Sequence, residues 1–198
     1  MSFLTTLDVV NSQLATLGET PLNDLDEDHP FVAAGLLALR TVNSREQTKG
    51  WWFNKEWVTL NPDATTGRIA VPENAISVDP LDGSNFVMRG RYLYNPSTSS
   101  LTFTSSVRVK LIRRLEFEEL PPSAADYISL TAVYEFADSY DADEKKLARL
   151  EMRRRAALIT LNAENIRNSN INFLDRPATA ATFNRLGRSV QLGGVRNI

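Results

Sequence analysis

The stretch TKGWWFNKEWVTL, residues 48–60, is the point at which the pattern of apolar residues changes. Upstream of it, apolar residues recur at steps of three and four, which is typical of α-helices. Downstream of it, short segments rich in β-branched and aromatic residues are separated by turn sequences, which is typical of antiparallel strands. The stretch therefore predicts a boundary between helices and a sheet, directly after Gly50.

All three tryptophans of the 198-residue chain, Trp51, Trp52 and Trp57, lie in this stretch. If a strand begins after Gly50, alternation places Trp51, Phe53 and Trp57 on one face and Trp52 on the other. We expect the first face to cover a helical core. Trp52 shares its face with polar residues, and we expect it to contact another protein.

The same periodicities predict the elements along the rest of the chain. Helices are predicted over residues 4–17, 30–49, 122–140 and 142–166, the last with a capping box formed by Asp141 and Glu144. A β insert is predicted over residues 51–114, with a hairpin in GRYLYNPSTSSLTF. The predicted fold class is α+β, an antiparallel helical bundle with an inserted antiparallel sheet. One domain is expected over residues 1–167, followed by an extended C-terminal arm over residues 168–198.

Composition excludes several kinds of site. There is no cysteine and one histidine, His29, so thiolate and multi-histidine metal sites are excluded. Asp24, Asp26 and Asp28 have the spacing of a calcium loop, but His29 and Gly35 stand where that loop needs a glycine and a glutamate. Glycine-rich phosphate-binding motifs are also missing. We expect no metal and no cofactor.

The N-terminus has no pattern of a secretory signal, and no apolar run approaches the ~18 residues of a membrane span. The formal net charge is −2, which favours neither nucleic acid nor an acidic membrane as a bulk partner. We therefore expect a soluble chain with no membrane partner.

Two segments of the chain are locally rich in basic residues. In SVRVKLIRR, alternation places Arg108 and Lys110 on the outer face of a half-buried strand. In ARLEMRRRAAL, four arginines lie on a helix but cannot share one stripe, since adjacent helical residues point about 100° apart: Arg149, Arg153, Arg154 and Arg155. They are either solvated helix surface or a contact with an acidic neighbour or DNA.

The segments VVNSQLATLGETPLNDL, QTKGWWFNKEWVTLNPD, GRYLYNP and VKLIRRLEFEELPPSAADYISLTA occur in this order. In order and spacing they resemble the tail tubular protein A family of short-tailed bacteriophages, over roughly residues 8 to 155. The most specific pieces are LGETP, KGWWFN and LPPS, and Trp52 is a position in the second piece that the resemblance does not require.

The resemblance implies a structural virion protein without enzymatic activity, a head-to-tail adaptor in the virion tail that is assembled in the host cytoplasm. It implies a twelvefold ring between the portal protein and the tail nozzle, a protein like tail tubular protein B, with tail fibres as a further neighbour. Double-stranded DNA would pass through this ring during ejection without specific contacts.

A ring needs two different faces on each subunit that match one another. The acidic loop with Asp24, Asp26 and Asp28 is predicted to meet the basic face with Arg108 and Lys110. The arm is expected to bind the portal or a neighbouring subunit, because it carries apolar anchors and arginines: Phe173, Arg176, Phe183, Arg185, Leu186, Arg188, Val190, Leu192 and Arg196.

The alternative function is a tail-associated enzyme that degrades polysaccharide or peptidoglycan. Its acid and base would come from Glu116, Glu118 and Glu119, since glycoside hydrolysis uses two carboxylates. A solvated connection between a strand and a helix is the simpler interpretation of these three glutamates. A sequence-specific DNA binder is not favoured, because no basic domain or recognition helix is evident.

Overall fold

The structure is a computed structural model that describes residues 4–25, 29–81 and 83–169. The helices are α1 (Thr6–Leu17), α2 (Val32–Gln47), α3 (Pro122–Ser139) and α4 (Glu144–Asn168). The strands are β1 (Lys55–Leu60), β2 (Ala75–Pro80), β3 (Val87–Arg89), β4 (Tyr92–Tyr94) and β5 (Val107–Arg113), and a short 3-10 helix spans Phe117–Glu119. The predicted α+β class is confirmed. Within the described ranges, no helix has the length and apolar character needed to cross a bilayer.

Helix α3 is the centre of the helical part, because it contacts α1, α2 and α4. A helix that is apolar around its circumference is stable in water only when neighbours cover it. The buried residues of α3 include Tyr127, Ile128, Ala132, Val133 and Phe136. Val42 of α2, Leu161 of α4 and Trp51 belong to the same core cluster.

The start of α4 differs from the prediction. Asp143 is the N-cap, and its side chain accepts a hydrogen bond from the Lys145 backbone N–H at 2.6 Å. The predicted capping box of Asp141 and Glu144 is therefore wrong. Asp141 lies in the turn after α3 with φ 53°, a left-handed conformation that aspartate tolerates better than most residues.

The strands form two small antiparallel sheets, one in the order β1-β5-β2 and one that pairs β3 with β4. Alternate residues of β5, Val107, Val109 and Leu111, are buried in a second core cluster with Ile69 and Phe86. The residues between them on β5 therefore lie on the outer face of the three-stranded sheet.

The predicted hairpin in residues 90–103 forms only a short ladder. Asn95 and Ser100 exchange backbone hydrogen bonds of 2.8 and 3.2 Å. A more regular hairpin overlaps its start: β3 pairs with β4, and Gly90 between them takes a left-handed φ of 61°.

Residues 51–54 form a turn between α2 and β1, so the predicted start of the strand directly after Gly50 is wrong. Asn54 closes this turn, because its side-chain oxygen accepts from the Trp51 N–H at 2.8 Å. Gly50 has φ 68°, and a Cβ at this position would lie 2.8 Å from Ile112 Cδ1. The glycine therefore provides both the left-handed conformation and the close approach to β5.

A buried cluster of three amide side chains, Asn43, Gln47 and Asn54, joins this turn to the end of β5; we call it the junction network. The Asn54 amide donates to the backbone oxygens of Gln47 (3.0 Å) and Arg113 (2.9 Å). Gln47 makes a reciprocal pair with Leu115, accepting from its N–H at 2.8 Å and donating to its oxygen at 2.9 Å. The network thus satisfies backbone groups on both sides of the boundary between helices and sheet.

The turn changes the environment of the tryptophans. Trp51 is buried in the helical core, where its indole N–H donates to the backbone oxygen of Glu46 at 2.9 Å, and Phe53 packs on the same core. Trp57, predicted to be in the core, is 65% exposed, so that prediction is wrong. The physical reason is that Gly50 lies against Ile112 on the outer face of the sheet. Ile112 pairs with Lys55, and Trp57 lies two residues further along β1, beyond this contact.

The tryptophans provide a first test of this fold. Trp51→Ala is expected to lower the free energy of unfolding by roughly 3 to 5 kcal/mol, because it removes a buried aromatic ring. Trp57→Ala is the matched control and should cost less than about 1 kcal/mol. Urea denaturation of both variants measures the difference, and equal losses would contradict the placement of the two side chains.

The junction network provides a second test. Asn54→Ala should lower the free energy of unfolding by roughly 2 to 4 kcal/mol, because buried backbone groups on both flanks lose their partner. Asn61→Ala, on an exposed asparagine, is the control and should be nearly neutral. A loss below about 1 kcal/mol for Asn54→Ala would show that the network does not hold the boundary together.

Candidate interaction surfaces

The outer face of the three-stranded sheet carries the predicted basic residues. The register places Trp57 opposite Lys110 and Lys110 opposite Asp79, so these side chains form a row across the sheet. Lys110 Nζ lies 2.8 Å from Asp79 Oδ2, and its charge is therefore paired within the same chain. Arg108 is exposed at the next outward position of β5. The face presents one exposed arginine beside a large exposed aromatic ring.

The acidic residues predicted to meet this face lie in another part of the fold. Asp24 is exposed in the connection between α1 and α2, next to a small cluster in which Leu22 is buried against Val10 and Leu14. Asp26 and Asp28 lie outside the described residues. The structure thus places Asp24 and the basic sheet face on separate elements, and their pairing stays a prediction.

Trp52 is half-buried rather than fully exposed. Its backbone N–H donates to Asn165 Oδ1 of α4 at 3.0 Å, and its ring meets Phe53 edge to face at 5.0 Å between centroids. It packs against the helical core. Trp52 therefore fastens the turn to α4, and its contact with another protein stays a prediction.

The three glutamates of the alternative enzymatic function make structural contacts. Glu116 and Glu119 form a reciprocal cap around the 3-10 helix. Glu118 accepts hydrogen bonds from the hydroxyl and the backbone N–H of Thr6, which lower the pKa of its carboxyl. Glu118 thus joins the exit of the sheet to α1, and the cleft between α1, α3 and α4 is lined by other residues.

Among the described residues, the large apolar side chains with the highest exposed fractions lie on α4. Met152, Ile159 and Ile166 are 67%, 70% and 69% exposed, respectively. They are seven residues apart and therefore lie on one side of the helix. The buried side of α4 is opposite, with Ala157 and Leu161 in the helical core. The exposed side of α4 was not predicted from the sequence.

The four predicted arginines of α4 have different environments. Arg154 is half-buried, pairs with Glu151 at 2.7 Å and lies over the Tyr134 ring. Arg155 also pairs with Glu151, at 2.6 Å, and these two hydrogen bonds lower the pKa of Glu151 to about 2. Arg149 and Arg153 line a cleft of about 420 Å³ between α1, α3 and α4.

The residues from Phe173 to Arg196 that were predicted as anchors lie outside the described residues. Within the described part of the chain, no group of three or more potential metal ligands occurs. The surfaces with a defined geometry are therefore the sheet face with Trp57, the turn with Trp52, the cleft and the outer side of α4.

Comparison with known proteins identifies the family to which this chain belongs. A family model described as tail tubular protein matches residues 7–169. A tail tubular protein A from Klebsiella phage KP34 is 32% identical over 124 residues, which is 62% of this chain and 66% of the relative. The chain belongs to the tail tubular protein family, as the resemblance implied. It is a structural protein of the bacteriophage tail.

The contact of Glu118 with Thr6 predicts a pH dependence of stability. A carboxyl whose pKa is lower in the folded state stabilises the fold above its unfolded pKa, and this stabilisation is lost as the pH falls through the folded value. Glu118→Gln should therefore lower the melting temperature at pH 7 and leave it nearly unchanged at pH 2. The effect should be below about 1 kcal/mol, because the side chain is mostly exposed. An equal loss at both pH values would contradict this role.

Proposed function

We propose that the chain is a head-to-tail adaptor that assembles as a twelvefold ring between the portal protein and the tail nozzle. The observation that carries this proposal is the family match over residues 7–169. The proposed nozzle is a protein like tail tubular protein B, with tail fibres as a further neighbour. Assembly would take place in the host cytoplasm, and the ring would form part of the conduit for DNA ejection.

The net charge suits a conduit through which DNA must slide. Affinity for DNA grows with the number of phosphates that basic residues neutralise. With a formal net charge of −2, the chain has no excess of basic residues with which to hold DNA tightly. Double-stranded DNA is therefore proposed to pass without strong or specific contacts.

The sheet face is the proposed contact between neighbouring subunits. Large aromatic side chains that are exposed in a free subunit are frequent anchors of protein interfaces. Trp57 is such a side chain, and Arg108 beside it is available for an acidic neighbour. The proposed acidic neighbour is the loop of the next subunit that contains Asp24, Asp26 and Asp28.

The arm, residues 168–198, is the proposed contact with the portal or with a neighbouring subunit. It carries four arginines against Asp175 alone, a net charge of +3. Its apolar residues do not follow a helical or strand period, so the arm would gain order by binding. The remaining residues, 1–167, are proposed to form a single adaptor domain.

The ring can be tested on the sheet face. Arg108→Glu combined with Trp57→Ala is expected to abolish rings in negative-stain electron micrographs and to shift the sedimenting species to monomer. Arg40→Glu, which changes an exposed arginine of α2, is the control and should leave rings intact. Rings of unchanged symmetry in the double variant would contradict the proposed subunit contact, and a wild-type chain that forms no ring with or without portals would contradict the adaptor itself.

The arm can be tested by truncation. Ending the chain after Ser169 keeps all of α4, which ends at Asn168, so the truncated protein should keep its melting temperature. We expect it to lose co-sedimentation with purified portal particles. Retained attachment to portals would contradict the role of the arm, and a lowered melting temperature would instead show that the arm is part of the folded domain.

A further inference from the structure

The exposed side of α4 has the residue spacing of a coiled-coil seam. Five consecutive seam positions separated by steps of four, three, four and three residues are all apolar: Met152, Ala156, Ile159, Ala163 and Ile166. We call them the α4 stripe. All five are exposed, and the three large ones are at least two-thirds exposed. An apolar stripe with this spacing is what one helix offers to another at a crossing angle near 20°.

The dimensions of the α4 stripe suit one helix of a partner. From Met152 to Ile166 the stripe is about 21 Å long, at roughly 1.5 Å per residue. Large side chains alternate along it with Ala156 and Ala163, and the small residues leave room for the side chains of a facing helix. α4 already packs on α3 through its opposite side, so the stripe is not needed for the fold of the chain.

One flank of the α4 stripe is basic, and on the other flank the charge of Arg155 is paired with Glu151. In the seam register the two flanking rows are Arg153, Thr160 and Arg167 on one side, and Arg155 and Asn162 on the other. No carboxylate lies in either row. Two nearby acidic residues are already engaged, Glu151 by Arg154 and Arg155, and Glu164 by the Ser123 hydroxyl. Flanking charges determine which partner a seam accepts.

We propose that the α4 stripe binds an amphipathic helix of a different protein, whose apolar seam residues are flanked by carboxylates. A second copy of α4 is disfavoured, because it would place arginine rows against arginine rows. The chain's own arm is disfavoured for the same reason, since residues 168–198 carry a net charge of +3. Duplex DNA would satisfy the arginines but would leave three large apolar side chains without an apolar partner.

The cleft next to the α4 stripe extends this surface. Arg153 flanks the stripe and also lines the cleft. Arg149 and Lys146 line the cleft as well, together with the carboxylate of Asp126, over a floor that includes Leu130, Val133 and Leu150. An acidic helix on the stripe would therefore find further cations on the side that faces α1. The stripe and the cleft both lie within one chain, so binding to them can be tested whether or not the chain forms a ring.

The test uses the full chain and two synthetic helical peptides that carry a fluorophore. Both peptides have Ile and Leu at the seam positions; one has Glu in the flanking rows and the other has Lys. Fluorescence anisotropy at about 0.1 M salt should show binding of the acidic peptide and at least about tenfold weaker binding of the basic one. Failure of the acidic peptide to bind, or equal binding of both, would overturn the proposal.

Variants separate the apolar and the ionic contributions. Ile159→Ser with Ile166→Ser should weaken binding of the acidic peptide at least about tenfold, because it removes two seam contacts. Arg153→Glu with Arg167→Glu should reverse the preference in favour of the basic peptide. Leu37→Ser, at a leucine of α2 that is 63% exposed, is the matched control and should change nothing. Melting temperatures of all variants verify that they fold.

Two other occupants of the α4 stripe have distinct signatures. Loss of self-association in Ile159→Ser with Ile166→Ser, measured by sedimentation, would assign the stripe to a second copy of the chain. Displacement of the acidic peptide by duplex DNA, with DNA binding that survives these serine substitutions, would assign it to nucleic acid. Either result would overturn the proposal.

Discussion

The reciprocal hydrogen bonds of the Asn43, Gln47 and Asn54 amides hold the helical part and the sheet of this protein together. The chain crosses between the two parts twice, at residues 48–55 and again at residues 113–117, and both crossings leave backbone groups that neither a helix nor a strand satisfies. The amides bond to these groups at 2.8 to 3.1 Å while being almost completely buried. Because an unsatisfied buried polar group costs about 1 to 3 kcal/mol, loss of any one of these amides destabilises the region where the two crossings meet. The direction in which the sheet leaves the helices follows from this constraint.

The surfaces available for assembly follow from that direction. Gly50, directly before the turn closed by Asn54, lies against Ile112 at the base of the sheet, and Trp57, further along β1, is exposed. On the other side of the boundary, α3 uses its circumference to bind the other helices, so α4 needs only one side for the core and keeps the α4 stripe exposed. Among the described residues, Trp57 on the sheet and the stripe on α4 are thus separate apolar surfaces, and both lie beside arginines. Two such surfaces on different elements are suited to different partners.

Much of this fold could be predicted from the sequence, because periodicity reports which side of an element is buried. The helices, the antiparallel strands and the outer face of β5 with Arg108 and Lys110 all follow from spacing alone. The tryptophan cluster could not be sorted in this way. Side chains alternate between the two faces of the sheet only from Lys55 onward, because the preceding four residues form a turn. That turn depends on hydrogen bonds from Asn54 to Gln47 and to Arg113, which is 59 residues away. The α4 stripe was missed for a different reason. A charged helix with apolar residues on two sides shows a weak period, and only the packing shows which side the core uses.

The central claim is that the junction network turns Trp51 into the core and leaves Trp57 in solvent. Fluorine NMR of the full chain labelled with 5-fluorotryptophan tests it directly, with the three resonances assigned through Phe substitutions at each tryptophan. Exposed rings show a change in chemical shift when H₂O is replaced by D₂O, and buried rings do not. The account predicts a large solvent isotope shift for Trp57, a smaller one for Trp52 and none for Trp51. A shift for Trp51 with none for Trp57 would contradict it.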